Sequence, residues 1–136
     1  MTSTVTNKPP SIQYPLVTVK RAERALRCSP FQLTLFSTMI NKSVPLGAIT
    51  LKTGQNQGYT KQPITEVRAE RELMWLIKVG VLRREVDGQG ITDSFRLTPL
   101  GREIVSKWEK LGRNLPPASG GEHLVHKISR WFSWQL

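Results

Sequence analysis

The sequence is poor in the residues on which enzymes and metal sites usually depend. One cysteine, Cys28, excludes an internal disulfide and a cysteine-based zinc site. We interpret it as a small buried hydrophobe. Both histidines, His123 and His126, lie in the tail, beyond the region where a serine and an acid could form a catalytic site with them. We therefore expect no catalytic residue, no metal and no cofactor.

Long apolar runs are also missing. No stretch approaches the roughly 18 residues that a membrane-crossing helix needs. Residues 1–10 are mostly Thr, Pro, Asn and Ser, and no apolar stretch of a secretory signal follows them. Hydrophobic residues make up 38% of the chain, enough for one modest core. These absences predict one soluble domain in a reducing cytoplasm.

Acidic residues are scarce. Ten of them face twenty Lys and Arg, so the net charge is +10 and the pI is about 10.4. Residues 1–61 hold eight basic residues and one acidic residue, whereas residues 62–136 hold twelve and nine. A field of this sign attracts polyanions, nucleic acid first and anionic lipid headgroups second. Most of the basicity lies in the first half.

The first half predicts a flexible arm followed by helices. Residues 1–16 are typical of an arm, and residues 17–27 of a short basic helix. Ser29 is a good N-cap with Pro30 behind it, so a second helix should begin there and end near residue 41. Residues 46–53 fit either a short helix or a short strand, and residues 54–61 predict a polar loop.

The second half gives stronger signals. A helix over residues 64–79, closed by Gly80, precedes strands over 81–86 and 94–97 that are joined by a turn at 87–90. Thr98 should cap a last helix of the domain, which Gly112 stops. The folded domain therefore spans residues 17–112. A linker over 113–121 and an amphipathic segment over 122–136 follow it.

Two blocks carry a family resemblance. The first is Ala69-x-x-x-Leu73-x-x-Leu76-x-x-x-Gly80-Val81-Leu82-Arg83-Arg84, and the second is Phe95-Arg96-Leu97-Thr98-Pro99-Leu100-Gly101. With the hairpin between them, residues 29–111 resemble the winged helix-turn-helix superfamily of DNA-binding proteins. The resemblance implies a mainly α fold with a small β-hairpin: a three-helix core plus a wing, here with extra N- and C-terminal helices. An unrelated helix–hairpin–helix domain is the competing interpretation.

The resemblance also implies nucleic-acid contacts, because a helix fits the major groove and a hairpin can follow the backbone. The residues expected near the groove are Lys61, Thr65, Arg68 and Arg71. Those expected on phosphates through the wing are Arg83, Arg84 and Arg96. A basic cluster in the first helix would add non-specific attraction: Lys20, Arg21, Arg24 and Arg27. Glu66, Glu70 and Glu72 make the recognition helix neutral, so a solvated or partner-facing helix stays open.

The amphipathic tail has three interpretations. Leu124, Ile128, Trp131 and Phe132 lie on one side of it, so it could contact a partner or second copy, lie on a membrane surface, or fold back to complete the core. Trp75 is a further candidate for partner contact.

The sequence supports two functions. The first is a winged-helix transcriptional regulator that binds double-stranded DNA, with a homodimer expected and RNA not separable from DNA. The alternative is a non-catalytic protein-interaction or assembly factor that uses the aromatic tail.

Overall fold

The computed structural model describes residues 13–86, 93–112 and 120–135 of the chain. The N-terminal part of the predicted arm, the turn at 87–90 and most of the linker at 113–121 lie outside these residues. The elements run in the order α1 (Leu16–Cys28), α2 (Leu33–Asn41), β1 (Val44–Pro45), α3 (Leu46–Ile49), α4 (Leu51–Asn56), α5 (Glu66–Lys78), β2 (Leu82–Val86), β3 (Asp93–Leu97), α6 (Pro99–Lys110) and α7 (Gly120–Gln135).

The strands form one small antiparallel sheet in the order β1-β3-β2. Phe95 in the central strand pairs with Val44 on one side and Arg84 on the other. Phe95 and Leu97 are fully buried, as the alternation of the strand requires. The predicted fold class, mainly α with a small β-hairpin, is confirmed at this level. The third strand, β1, was not predicted, because two residues are too few to show a period.

Helix α5 carries the centre of the core. Ala69, Leu73 and Leu76 lie on one face at helical spacing and are fully buried, as predicted. The Thr65 hydroxyl accepts a hydrogen bond from the Arg68 backbone N–H at 3.2 Å and so caps the helix. Thr98 caps α6 in the same way, through the Gly101 N–H at 3.1 Å. Both caps fix where the helices begin.

The predicted helix start at Ser29 is wrong. Ser29 instead ends α1, where its hydroxyl donates to the Leu26 carbonyl at 2.8 Å. Phe31 lies in extended backbone, bridged to Thr60, and its buried ring packs edge-on against Phe36 at 6.2 Å. Burying this ring holds the chain extended, so α2 begins only at Leu33.

The predicted loop at residues 54–61 is also wrong at its start. Residues 46–53 form α3 and the first part of α4, and α4 continues to Asn56. Gly54 lies inside α4, where a Cβ atom would collide with the backbone of Ile49. The glycine therefore permits close packing of α4 on α3.

Leu51 carries local strain. Its φ of 55° is the only positive value of a non-glycine residue in the part of the chain described, and its side chain is largely exposed. This conformation costs an L-residue about 1–2 kcal/mol. We expect Leu51→Gly to raise the free energy of unfolding by about 1 kcal/mol in urea titrations. Lys52→Gly, next to it in the same helix at ordinary φ, should lower it by a similar amount; a loss of stability in both variants would contradict this account.

None of the helices in the described ranges combines the length and apolarity needed to cross a membrane.

Candidate nucleic-acid interface

Helix α7 packs on α1 and on the side of α5 that faces away from the core. Trp75 lies on this side, since helical spacing puts it nearly opposite Leu73. The Trp75 ring makes an edge-to-face contact with His126 at 5.9 Å between centroids. The Arg130 guanidinium lies 5.6 Å from the centre of the same ring. Two α7 side chains, one turn apart, therefore cover the tryptophan.

Trp75, a candidate for partner contact, is not available to an outside partner in this structure. The side chain is 2% exposed, because the chain's own C-terminal helix covers it. Its indole N–H has no hydrogen-bond partner in the described structure. An aromatic on the outer face of a predicted recognition helix can be a partner contact or an internal packing site, and here it is the latter.

Two ion pairs also hold α7 to helices α1 and α5. Arg130 Nη1 lies 2.8 Å from Glu72 Oε1 of α5, and both side chains are mostly buried. Arg27 of α1 pairs with Glu122 in the first turn of α7. The Cys28 thiol lies 3.8 Å from the Glu122 carbonyl oxygen. Glu122, His126 and Arg130 follow each other at four-residue spacing, so the face of α7 that meets the domain is polar.

The apolar face of α7 consequently points to solvent. Leu124, Ile128 and Trp131 are all exposed, with Leu124 at 60%. The Phe132 side chain lies outside the described residues. Of the three interpretations of the tail, folding back on the domain agrees with the structure, but the contact is made by the polar face and not by these apolar residues. The polar stripe at four-residue spacing is the feature of the sequence that indicates this orientation.

A basic cleft of about 350 Å³ opens between α5 and α7. Its lining residues come from α1, the α1–α2 connection, α5 and α7: Cys28, Pro30, Arg68, Arg71, Glu72, His123, His126, Lys127 and Arg130. Glu72 is the one acidic residue among them, and it is paired with Arg130. The side chains of Arg68, Arg71 and Lys127 are exposed and form no ion pair or hydrogen bond within the described structure. The cleft therefore presents three uncompensated cations.

Burial shifts the pKa values of two groups that line the cleft, His126 and Cys28. It lowers the pKa of His126 to about 4, and the nearby charges of Arg130, Arg24 and His123 act in the same direction. The imidazole is therefore neutral at pH 7. Burial also raises the pKa of the Cys28 thiol, against the opposing charges of Arg27 and Arg24. Neither group adds charge to the cleft at neutral pH.

Two residues predicted near the groove lie outside the cleft. Lys61 and Thr65 precede α5 and are exposed. The Thr65 hydroxyl is engaged as the helix cap, and the Lys61 carbonyl accepts a hydrogen bond from Gln55. Of the four predicted groove residues, the structure brings Arg68 and Arg71 together and adds Lys127, which the sequence analysis had not selected.

The arginines of the predicted wing are engaged by neighbouring groups of the sheet and of α2. Arg83 lies directly opposite Arg96 and pairs with Glu85 at 2.9 Å. The Ser43 hydroxyl donates to Glu85, and this hydrogen bond, with Arg83 beside it, holds the pKa of the Glu85 carboxyl below its ordinary value. Arg96 donates to the Asn41 carbonyl at 3.4 Å. Arg84 lies over the Phe95 ring at 5.8 Å. The β2–β3 hairpin, which was predicted to be a wing, thus offers less free cationic charge than its sequence suggested.

The basic residues of α1 differ in their exposure to solvent. Lys20 and Arg21 are exposed, while Arg24 and Arg27 are half-buried on the α7 side. Arg27 is neutralised by Glu122. Arg21 borders a second, smaller cleft together with Lys78 of α5. The described residues contain no group of three or more His, Cys, Asp or Glu side chains arranged for a metal ion.

The chain matches one family model, described as Npun_F0494-like, over residues 12–130. No curated protein and no solved structure matches it. The matched region includes the sheet, α5 and the part of α7 that lines the cleft. Since the match spans most of the chain, the protein belongs to the Npun_F0494-like family.

Proposed function

We propose that this protein is a winged-helix protein that binds double-stranded DNA mainly through the phosphate backbone. The observation that carries the proposal is the convergence of Arg68, Arg71 and Lys127 on one open cleft, with no ion-pair partner for any of them in the described ranges. A guanidinium fork matches paired phosphate oxygens, and a lysine supplies a point charge beside it.

The order of elements supports the winged-helix part of the proposal. Helix α2, strand β1, the short helices α3 and α4, helix α5 and the β2–β3 hairpin follow each other as a three-helix core, its extra strand and a wing would. Helix α5 then takes the place of the recognition helix, and the Arg68 end of α5 is the end at which such a helix enters a groove.

The position of α7 favours backbone binding over base reading. Sequence is read when side chains of a helix reach base edges in the major groove, whereas phosphate contacts carry no sequence information. With α7 across Trp75, the outer face of α5 near its C-terminal half is covered. Arg68 and Arg71 stay exposed beside this cover, where they can contact a backbone passing along the cleft. Exposed Lys20 and Arg21 extend the positive field.

Salt dependence of binding tests the proposal. Fluorescence anisotropy of the full chain with a labelled duplex should show affinity falling steeply between 50 and 300 mM salt, since each neutralised phosphate contributes about 0.9 to the log–log slope. The double variant Arg68→Ala/Arg71→Ala should reduce the slope by about 2 and weaken binding to unrelated duplexes equally. The matched control, Lys52→Ala/Lys110→Ala, removes two exposed cations that do not line the cleft and should leave the slope nearly unchanged.

Two results would contradict the proposal. One is a flat salt dependence of the wild-type chain. The other is an equal loss of slope in both double variants, which would mean that net charge alone, and not the cleft, attracts the duplex. The same titration with an RNA duplex decides between the two nucleic acids, because an A-form helix presents a different backbone geometry to the same cations.

A further inference from the structure

The solvent-facing side of α7 is an exposed apolar surface. Leu124, Ile128 and Trp131 follow each other at spacings of four and three residues, and Val125 lies beside them. The opposite face of the helix is used by the ion pairs and the His126 contact that hold it to the domain. A helix held by its polar face presents its apolar face to solvent, and an exposed apolar patch of this kind marks an interaction surface.

The charge around this surface restricts what that occupant can be. The acidic residue of α7, Glu122, points toward the domain and is neutralised by Arg27. Exposed Lys127 and His123 border the apolar face on its cleft side, and Arg68 and Arg71 lie across the cleft from them. The surface is therefore apolar along its centre and carries Lys127 on its cleft side, and the one carboxylate of α7, Glu122, is paired with Arg27.

A second copy fits this pattern poorly, because it would set the Lys127 border of one copy near that of the other, in a chain of net charge +10. An anionic bilayer offers both complements at once: acyl chains for the apolar face and negative headgroups for the border. Tryptophan is favoured at that boundary, which suits Trp131. We propose that α7 binds flat on the surface of an anionic lipid membrane while its polar face stays on the domain. The apolar face lies outside the cleft, although Lys127 borders both, and the inference does not rest on the proposed function.

Vesicle flotation of the full chain tests this inference. The chain should float with vesicles of equal parts phosphatidylglycerol and phosphatidylcholine, and much less with phosphatidylcholine alone. Leu124→Ser/Ile128→Ser should weaken partition into the anionic vesicles about tenfold or more, because two apolar side chains no longer enter the bilayer. The matched control is Leu111→Ser/Val86→Ser, which removes apolar side chains that are each 59% exposed elsewhere on the domain. It should partition like the wild type.

The outcomes separate cleanly because neither double variant removes a buried contact. Equal partition of Leu124→Ser/Ile128→Ser and the wild type would overturn the proposal, and so would equal losses in both double variants. A third result would also overturn the proposal. In it, the wild type sediments as a dimer without lipid, Leu124→Ser/Ile128→Ser sediments as a monomer, and the wild type does not float with the vesicles. Duplex affinity of Leu124→Ser/Ile128→Ser should match the wild type, so failure here is distinguishable from failure of the cleft.

Discussion

Trp75→Ala should lower the free energy of unfolding by about 3–5 kcal/mol, the usual cost of deleting a buried tryptophan. The loss has a specific location, because Trp75 packs under His126 and Arg130 of α7. Without the ring, α7 loses the surface on which it rests, while Leu73 and Leu76 still hold α5 to the core. Urea titration measures the total loss. Modification of Cys28 by iodoacetamide under native conditions measures release of α7, since the Cys28 thiol lies against Glu122.

Trp108 provides the matched control for this prediction. It is 4% exposed in α6, and Trp108→Ala should lower the free energy of unfolding by a similar amount. It makes no ring contact with α7 among the described residues, so it should leave the native rate of Cys28 modification close to that of the wild type. Equal Cys28 rates in the two alanine variants would show that Trp75 does not hold α7 in place.

Acidification is expected to cost up to about 3 kcal/mol of stability through His126. Its pKa is about 4 in the folded chain, against an ordinary value of 6.5. Above pH 6.5 the imidazole is neutral in both states, so the full stability is present. As the pH falls from 6.5 toward 4, the unfolded chain binds a proton that the folded chain does not, and the free energy of unfolding decreases. Urea titrations at pH 7 and pH 4.5 measure the change.

His126→Phe isolates this contribution. Phenylalanine keeps an aromatic ring against Trp75 and cannot bind a proton, so most of the loss between pH 7 and pH 4.5 should disappear. His123→Phe is the control, because His123 is exposed and its removal should leave the pH dependence largely intact. If the free energy of unfolding of His126→Phe fell with pH as it does in the wild type, groups other than His126 would cause the loss of stability.

The sequence predicted the elements that depend on local patterns. The stripe of Ala69, Leu73 and Leu76 locates α5, because burial on one side of a helix leaves a period that can be read directly. Thr98 followed by Pro99 locates the start of α6, because capping needs only neighbouring residues. The same reasoning failed at Ser29, whose hydroxyl is used to end a helix, and at Gly54, whose missing Cβ serves packing.

The cleft could be predicted only in part. Arg68 and Arg71 were found from their helix face, but Lys127 reaches the same place through a helix some 50 residues later in the chain. The inward face of α7 could not be inferred from hydrophobicity, since it is held by ion pairs with Glu72 and Arg27 that depend on tertiary placement. A rule that turns apolar faces inward gives the wrong orientation for α7, whose apolar residues Leu124 and Ile128 are exposed.

The most direct test of the central claim, that a polyanion occupies the cleft while α7 remains on α5, uses the thiol at the cleft itself. Cys28 is the single cysteine and lines the cleft, so its modification by uncharged iodoacetamide can be followed with and without saturating duplex DNA. Modification should be slower in the presence of duplex, and this protection should be lost in Arg68→Ala/Arg71→Ala. An unchanged rate in the saturated complex would place the DNA elsewhere, and a faster rate would mean that binding displaces α7.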